Sequence, residues 1–352
     1  MKEKIMFWKT TKAKILAVIF SCIALSAALY IKLDTPSIAD LKLPLQYYTP
    51  LQLTTTAKEM VIVKTGLFIM GFSELDFVKH KFVFDGVIWF IFNPNDISPS
   101  TIDAFSFEQA EILKKSAPKT KALGHNLLVS YEITTKFSNA LNFKDFPFDD
   151  HRLTLRLTNN QLLPSEVRIT TDSTLLVATD NIQLKDWDLY DLYTEFGYTD
   201  KKIDRYRPET IISHPLVAFY IELAKGGIRK IMVIFLPLFA IFFLGLLSLA
   251  INILEVSTYI SISVGSLSVL LGYRFVLETM TPKVGYFTIS DKIYLLLLLM
   301  IFTIFLVNLI VGRYVQQKKI SGEKLDAIRS MRSILFYGFI LAATVYSIII
   351  VL

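Results

Sequence analysis

Apolar residues along this chain are concentrated in five long blocks, and a segment of shorter alternating stretches lies between the first block and the second. The blocks cover residues 15–31, 231–252, 256–277, 293–312 and 334–352. A helix rises ~1.5 Å per residue, so each block is long enough to cross or nearly cross a ~30 Å hydrocarbon layer. The pattern predicts a membrane protein with one N-terminal apolar helix and an α-helical four-span membrane bundle.

The segment at residues 40–228 has the pattern of β-strands. Short apolar stretches alternate with polar positions at 60–63, 81–84, 129–133 and 153–157. Asp85-Gly86 and Asn93-Pro94 are turn signals between such stretches. We therefore predict an all-β, antiparallel sandwich before the four-span bundle. Residues 105–115 are expected to form a short helix or an irregular loop.

Composition narrows the class of protein. Of 352 residues, 53% are hydrophobic and 19% are charged, and the net charge is +6. This balance excludes a disordered chain, and the collection of apolar residues into blocks argues against a soluble enzyme. The single cysteine, Cys22, excludes an intramolecular disulfide and a cysteine-ligated zinc site. The basic residues form no aromatic-interleaved stripe, so no nucleic-acid partner is expected.

Two interpretations of the N-terminal region stay open. Five lysines among residues 1–14 precede the first apolar block. Ser26-Ala27-Ala28 offers a cleavage site, whereas the block of 17 residues at 15–31 is longer than most signal cores. Residues 1–34 are therefore either a cleaved signal peptide or an uncleaved signal-anchor helix. In both cases the lysines stay inside the cell.

Charge near the later spans predicts the topology. The linker at 313–333 carries six basic residues against two acidic ones. Cytoplasmic connections are enriched in lysine and arginine, so we expect this linker in the cytoplasm. Tracing the spans back from it places residues 40–228 and the C-terminus outside, in agreement with the N-terminal lysines. The predicted location is the plasma (inner) membrane, which the chain crosses several times.

Several motifs occur in the order of one known family. They are Phe146-Pro147-Phe148-Asp149 before a strand at 153–157, the strand region 64–92, Arg229 and Pro237 at the first of the four spans, and Glu278–Lys283 with Tyr286 and Thr288 after the second. Over roughly residues 55–352, this ordered set resembles the pentameric ligand-gated ion channels, in the bacterial form that lacks the loop cysteines.

The resemblance implies a ligand-sensing sandwich at 40–228, a transmembrane channel domain at 229–352 and a homo-pentamer. The implied function is a channel that passes monovalent cations across a lipid bilayer and is opened by an unidentified small molecule or by protons.

No cofactor, metal or enzymatic activity is expected, and Asp149-Asp150-His151 is a weak hint of a metal site. The alternative is a non-conducting, membrane-anchored sensor or accessory protein of the same architecture.

One face of the second of the four spans is distinctive on its own. A helix turns by about 100° per residue, which places six small, hydroxyl-bearing or aromatic residues in one narrow sector. These residues are Ser257, Ser261, Gly265, Ser268, Gly272 and Phe275. Five such helices around an axis would line a pore suited to water and hydrated ions. The alternative is close helix packing through small residues. Ser263 and Ser266 point elsewhere and are expected to pack or to bond back to the helix.

Two carboxylates flank this face. Glu255 precedes the helix in a connection without basic residues, and Glu278 lies near its outer end. Rings of carboxylates at the mouths of a pore favour cations, and Arg274 and Lys283 would offset the second ring. The alternative for Glu255 is that it only marks the helix start, where a carboxylate suits the helix dipole.

By resemblance, the loop Phe146–Asp149 should press on the connection at 280–288, which contains Pro282 and Lys283. Arg229 should lie near Asp149 or another carboxylate, because a charge partly out of water is costly unless it is paired. The alternative for Arg229 is contact with lipid headgroups.

The ligand site is expected among aromatic residues. Trp187, Tyr190 and Tyr193 lie where the outermost binding loop of the family would start, and an aromatic cage can hold an organic cation. The alternative for Trp187 is the core of the sandwich. Phe92 stands where the family has a tryptophan, so the ligand site is either remodelled or missing.

Overall fold

The computed structural model describes residues 11–34, 38, 40, 45–47, 60–76, 81–138, 141–180, 182, 184, 187–202, 211–225, 228–317 and 322–351. The chain divides into two compact units. A helical unit contains Met1–Ser37, Phe143–Asp149 and Gly227–Leu352, and a strand unit contains Ile38–Asn142 and Asp150–Gly226. The predicted order, β-structure followed by apolar helices, is confirmed.

The strand unit contains two sheets. Its strands are β1 (Val61–Asp76), β2 (Lys81–Phe92), β3 (Phe105–Phe107), β4 (Ala110–Lys115), β5 (Lys119–Leu123), β6 (Asn126–Ser138), β7 (His151–Asn159), β8 (Val167–Thr170), β9 (Leu176–Ala178), β10 (Trp187–Lys202) and β11 (Ile211–Lys225).

The larger sheet has seven strands in the order β4-β6-β2-β1-β8, with β5 beside β6 and β9 beside β1. The smaller sheet has four, in the order β10-β11-β7-β3. Pairing is antiparallel except where β8 and β9 run parallel to β1. The four strand stretches that alternation predicts lie in β1, β2, β6 and β7 and are confirmed.

Alternation of side chains builds the interior of the strand unit. Every second residue of β6 from Val129 onward is buried, which is the period of two expected of a strand with one covered face. Rings from the two sheets contact each other there. Phe105 of β3 lies 5.3 Å from Phe90 of β2, and Phe107 lies 5.5 Å from Phe137 of β6, between ring centroids.

Two local predictions are wrong. Residues 105–115 contain strands β3 and β4, joined by a turn in which Gln109 has a φ of 54°, and a register shift lies between Ile112 and Lys114. Asp85-Gly86 lies inside β2 and makes no turn. A side chain at Gly86 would collide with Phe84, so the glycine allows close packing there. Asn93-Pro94 does form a turn, which the 3.1 Å hydrogen bond from Asp96 N to Asn93 O closes.

The helical unit contains five helices that are long and apolar enough to span a membrane within the described part of the chain. They are α1 (Thr11–Asp34), α3 (Arg229–Leu247), α4 (Val256–Met280), α5 (Ile289–Gln317) and α6 (Gly322–Val351), while α2 (Pro99–Asp103) is a short helix between β2 and β3. The five predicted apolar blocks are therefore confirmed as helices. Of the predicted inside lysines, Lys2, Lys4, Lys9, Lys318 and Lys319 lie outside the described residues.

A proline in α3 is compensated by a neighbouring helix. Pro237 has no N–H group, so the carbonyl of Val233, four residues earlier, lacks its helical donor. The hydroxyl of Tyr273 on α4 lies 2.9 Å from Val233 O and 3.0 Å from Ile234 O, and it donates to this pair. The contact joins α3 to α4 at the point where the backbone of α3 is weakest.

Helix α1 packs against α6. Ser21 and Thr344 are buried, and their hydroxyl oxygens lie 2.6 Å apart. Thr344 donates its proton to the carbonyl of Ile340 at 2.7 Å, so Ser21 is the donor to Thr344. A hydrogen bond between two spans satisfies polar groups that lipid cannot satisfy.

Candidate functional site

Among the described residues, no other helix covers the small-residue face of α4. All six residues predicted to line a pore are exposed: Ser257, Ser261, Gly265, Ser268, Gly272 and Phe275. The other side of α4 is buried at Tyr259, Leu270 and Leu277. Val269 of α4 is 57% exposed as well. The structure therefore brings the six residues together on one open face.

Two serines of α4 lie away from this face. Ser263 is fully buried and donates to the carbonyl of Ile260 at 2.9 Å, three residues earlier in the helix. Ser266 is buried opposite Gly245 of α3, where the glycine leaves room for it. The expectation that these serines pack or bond back to the helix is confirmed.

The two predicted selectivity residues have different surroundings. Glu255 is exposed and directly precedes α4, and its side chain makes no capping hydrogen bond. Glu278 accepts from Nε of Arg274 at 3.2 Å, and the same guanidinium donates to Asp291 of α5 at 2.6 Å. The charge of Glu278 is therefore partly balanced within the chain, whereas that of Glu255 is not balanced by an ion pair among the described residues.

The loop at 143–149 joins β6 to β7 and belongs to the helical unit. Three hydrogen bonds connect it to the region between α4 and α5. Phe143 N donates to the hydroxyl of Tyr286 at 2.9 Å, Ile289 N to Lys144 O at 3.2 Å, and Ser290 N to Phe146 O at 3.3 Å. Most of these bonds use backbone groups, so they hold the loop on the start of α5 whatever its side chains are.

Aromatic contacts fix the same loop on α3. The ring of Phe148 stacks on that of Phe235 with centroids 5.6 Å apart, and both side chains are buried. The ammonium group of Lys230 lies 4.7 Å from the centre of the Phe146 ring, which is a cation–π distance. Asp149 is buried at the end of the loop.

Within the described residues, the structure does not show the expected carboxylate partner of Arg229, and the alternative, contact with lipid headgroups, stays a prediction. Arg229 is exposed, and among the described residues it forms no ion pair with Asp149 or with another carboxylate. The neighbouring Lys230 makes the contact with the loop instead. Its ammonium group lies over the Phe146 ring, whose face attracts a cation.

Pro282 and Lys283 line an open cavity of ≈ 690 Å³ with Arg274, Glu278, Tyr286 and Asp291. The cavity lies between the end of α4 and the start of α5. Ionic side chains from both helices border it, since Arg274 and Glu278 belong to α4 and Asp291 belongs to α5.

The predicted ligand residues do not form a cage. Tyr193 stacks on Tyr220 with centroids 4.7 Å apart, and the guanidinium of Arg152 lies 5.8 Å and 6.0 Å from the two rings. Arg152 is itself paired with Glu222 at 2.6 Å. A cation of the chain itself, the guanidinium of Arg152, thus lies over these rings. Burial raises the pKa of Tyr193 to about 12.

The other two predicted ligand residues lie apart from this cluster. Trp187 is partly buried, and its ring lies 5.0 Å from that of His151. Tyr190 is exposed.

The weak hint of a metal site has another explanation. His151 Nδ1 lies 3.1 Å from Asp40, and Asp150 accepts from Lys225 N at 3.0 Å. In the described part of the chain, no group of three histidine, cysteine or acidic side chains is arranged to hold a metal ion.

Sequence reasoning missed several buried polar residues in the apolar helices. Asn308 of α5 donates to the hydroxyl of Ser248 at 2.8 Å, and Arg332 of α6 donates to carbonyls of Ser248 and Ile251. The signal was present, because a polar or charged residue within an apolar span is rare and usually has a specific role.

Comparison with known protein families finds no matching family model, and comparison with curated proteins finds no significantly similar sequence. The function is therefore argued from the open face of α4, the contacts of the loop at 143–149 and the charges around them.

Proposed function

We propose that this chain is a subunit of a pentameric ligand-gated ion channel of the bacterial type, with a preference for monovalent cations. The observation that carries the proposal is the open face of α4. Five residues on it are serine or glycine, they lie on a membrane-length helix, and no other helix in the described part of the chain covers them. Lipid offers such residues no hydrogen bonds, whereas water in a pore does.

The burial pattern separates a pore face from a packing face. Small residues that mediate helix packing within this chain would be buried against a neighbour, as Ser266 is against Gly245. Ser257, Ser261 and Ser268 are exposed instead. In a ring of five copies they face the common axis, and the buried side of α4 faces its own subunit.

The loop at 143–149 supplies the means of gating. It is continuous in sequence with β6 and β7. Its hydrogen bonds reach Tyr286 in the connection after α4 and Ile289 and Ser290 at the start of α5. In the proposal, the two sheets form a β-sandwich outside the cell that binds a small molecule or protons. Movement of β6 and β7 is then carried along the chain into the loop and so to the outer end of α4.

The charges support a preference for cations. At the start of α4, Glu255 is exposed and without an ion pair among the described residues, and the segment 250–258 contains no basic residue of its own. The proposed topology places this end of the pore and the linker at 313–333 in the cytoplasm. The sandwich and the C-terminus lie outside the plasma (inner) membrane.

Planar-bilayer recording of the purified protein tests the proposal, with steps of pH and of divalent cations on the sandwich side. Unitary currents that reverse near the potassium or sodium potential, from a particle of five copies by native mass spectrometry, are the expected result. A particle of another stoichiometry contradicts the pentamer.

Thiol modification makes the test specific to the proposed face. In a Cys22→Ser background, Ser261→Cys should react with a charged methanethiosulfonate, and the current should fall. Ser263→Cys is the matched control, because Ser263 is buried on the same helix. Equal effects at the two positions, or none at either while currents flow, would show that α4 does not line the pore.

A non-conducting sensor of the same architecture is the second candidate. One observation favours it, since the guanidinium of Arg152 already lies 5.8 Å and 6.0 Å from the rings of Tyr193 and Tyr220, as a cationic ligand would. Ser268→Trp separates the candidates, because a bulky ring on the pore face blocks a channel and has little effect on an accessory protein that signals through its sheets.

A further inference from the structure

Two of the membrane-length helices and the connection between α3 and α4 enclose a basic cavity at one end of the helical unit. The cavity has a volume of ≈ 330 Å³. Three cationic side chains line it: Lys14 of α1, and Arg329 and Arg332 of α6. None of its described lining residues is acidic.

Two of these cations are buried. Lys14 is 6% exposed and Arg332 is 2% exposed. Removing a cation from water is costly unless a partner compensates it. Arg332 receives part of that compensation from the carbonyls of Ser248 and Ile251 and from the ring of Tyr259, whose centre lies 4.5 Å away.

The compensation is incomplete. Nε of Arg332 is buried and has no hydrogen-bond partner in the described structure. The ammonium group of Lys14 has a ring contact with Phe336 at 5.4 Å. Arg329 pairs with Asp326 at 3.3 Å, but both groups are largely exposed, so this pair is weak. The cavity is therefore suited to an anion that brings several acceptor oxygens.

An apolar groove continues from the cavity along the same two helices. Its volume is ≈ 720 Å³, and its walls include Ala13, Leu16 and Ala17 of α1 and Tyr337, Ile340 and Leu341 of α6. Ser333 of the cavity and Tyr337 of the groove are four residues apart, and Lys14 and Ala17 are three apart. Residues at these spacings are neighbours on one helix face, so the polar and apolar parts form one continuous site.

We propose that this site binds an anionic phospholipid, with the phosphate among Lys14, Arg329 and Arg332 and an acyl chain in the groove between α1 and α6. Charge complementarity selects a negative headgroup, and the groove selects a lipid over a soluble phosphate. The site lies at the end of the bundle that carries the excess of lysine and arginine, which is where anionic lipids of the cytoplasmic leaflet are found. It does not require that the protein conducts ions. It does require that α1 is retained.

The test uses the full-length protein in nonionic detergent, titrated with dioleoyl phosphatidylglycerol or dioleoyl phosphatidylcholine while thermal unfolding is followed. A ligand that binds only the folded state raises the melting temperature. Phosphatidylglycerol is expected to raise it more than phosphatidylcholine. Lys14→Gln and Arg329→Gln should each raise the lipid concentration that gives half of the maximal rise in melting temperature. The expected factor is about tenfold, as the loss of one charge-assisted hydrogen bond implies.

The chain offers matched controls. Lys12→Gln removes the same charge from the same helix at an exposed position outside the cavity, and its titration should match that of the unchanged protein. Ala17→Phe fills the groove and should weaken binding, whereas Ala27→Phe at an exposed position of α1 should not. Arg332 is left unchanged, because it also holds two carbonyls and its loss would destabilise the protein itself.

Three results would overturn the proposal. Lys14→Gln could titrate like Lys12→Gln, which would mean that the cavity is not the binding site. Inorganic phosphate at the same concentration could give the full stabilisation, which would assign the cavity to a soluble anion. Finally, the intact mass of the purified protein could show that residues 1–28 have been removed, so that Lys14 is absent from the mature chain.

Discussion

Glu255 and Glu278 are two carboxylates at opposite ends of one helix, and their neighbours decide how much charge each presents. Glu278 shares Arg274 with Asp291, so one guanidinium serves two acids. Glu255 is exposed and has no ion pair in the described residues. The sequence predicts that Arg274 offsets the ring of Glu278, and the contacts of Arg274 agree, so the proposed channel has one strong ring of carboxylates and one weak ring.

Glu255→Gln should lower the preference for cations, and Glu278→Gln should change it little. Each carboxylate about 7 Å from the path of an ion in water contributes about 0.6 kcal/mol, so the loss of one from every copy of the ring should lower the permeability ratio by at least a factor of about three. Reversal potentials in asymmetric potassium chloride measure that ratio. If Glu278→Gln has the larger effect, the outer mouth sets selectivity and the assignment of Glu255 is wrong.

At the scale of elements, the start of α5 is held by a reciprocal cap. Thr288 N donates to Asp291 Oδ2 at 3.1 Å, and Asp291 N donates to the hydroxyl of Thr288 at 3.3 Å. This is the arrangement of a capping box, which satisfies two N–H groups that the first helical turn leaves free. Asp291 also pairs with Arg274, so the cap ties the start of α5 to α4.

Thr288→Ala should destabilise the protein by about 1 kcal/mol, because the hydroxyl is lost from a buried cap. Thr303→Ala is the control, since the hydroxyl of Thr303 bonds only to the carbonyl of Leu299 within α5 and should contribute within about 0.5 kcal/mol. Thermal unfolding in detergent compares the two. Equal losses would mean that the capping bonds do not stabilise the start of α5.

The loop at 143–149 gives a second prediction at this scale. Phe148→Leu removes the stacking on Phe235 and should cost about 1 kcal/mol of stability. In the proposed channel it should also shift the agonist concentration for half-maximal current, since the loop carries movement to the pore. Phe107→Leu is the control, because Phe107 is a buried phenylalanine of the strand unit. A similar gating shift in both variants would attribute the effect to stability alone.

The elements differ in how well sequence predicts them. Long apolar blocks and strict alternation identified all five membrane-length helices and strands β1, β2, β6 and β7, because each depends on local periodicity. Asp85-Gly86 misled, since a glycine that admits the ring of Phe84 looks the same in sequence as one that makes a turn. The bond from Tyr273 to the Pro237 break joins two helices, and no local pattern reports such a contact.

The same limit applies to the candidate site. The open face of α4 follows from helical spacing, so its six residues were predicted together. Two other details depend on distances across the fold. Lys230, and not Arg229, contacts the loop, and Arg152 lies over the Tyr193–Tyr220 pair. These contacts determine which side chain holds the loop and which group lies over the two rings, and they are seen only in the structure.

At the scale of the whole molecule, the distribution of charge predicts which side of the membrane each part occupies. Cysteine labelling in a Cys22→Ser background tests it, using Lys121→Cys on β5 and Glu323→Cys on α6, both at exposed positions. In intact spheroplasts, a membrane-impermeant maleimide should label the cysteine at 121, because the proposed topology places the strand unit outside. The cysteine at 323 should react only after lysis, since the same proposal places the basic linker in the cytoplasm. Labelling of position 323 in intact spheroplasts would reverse the topology, and it would also move the basic cavity of Lys14 and Arg332 to the outer leaflet.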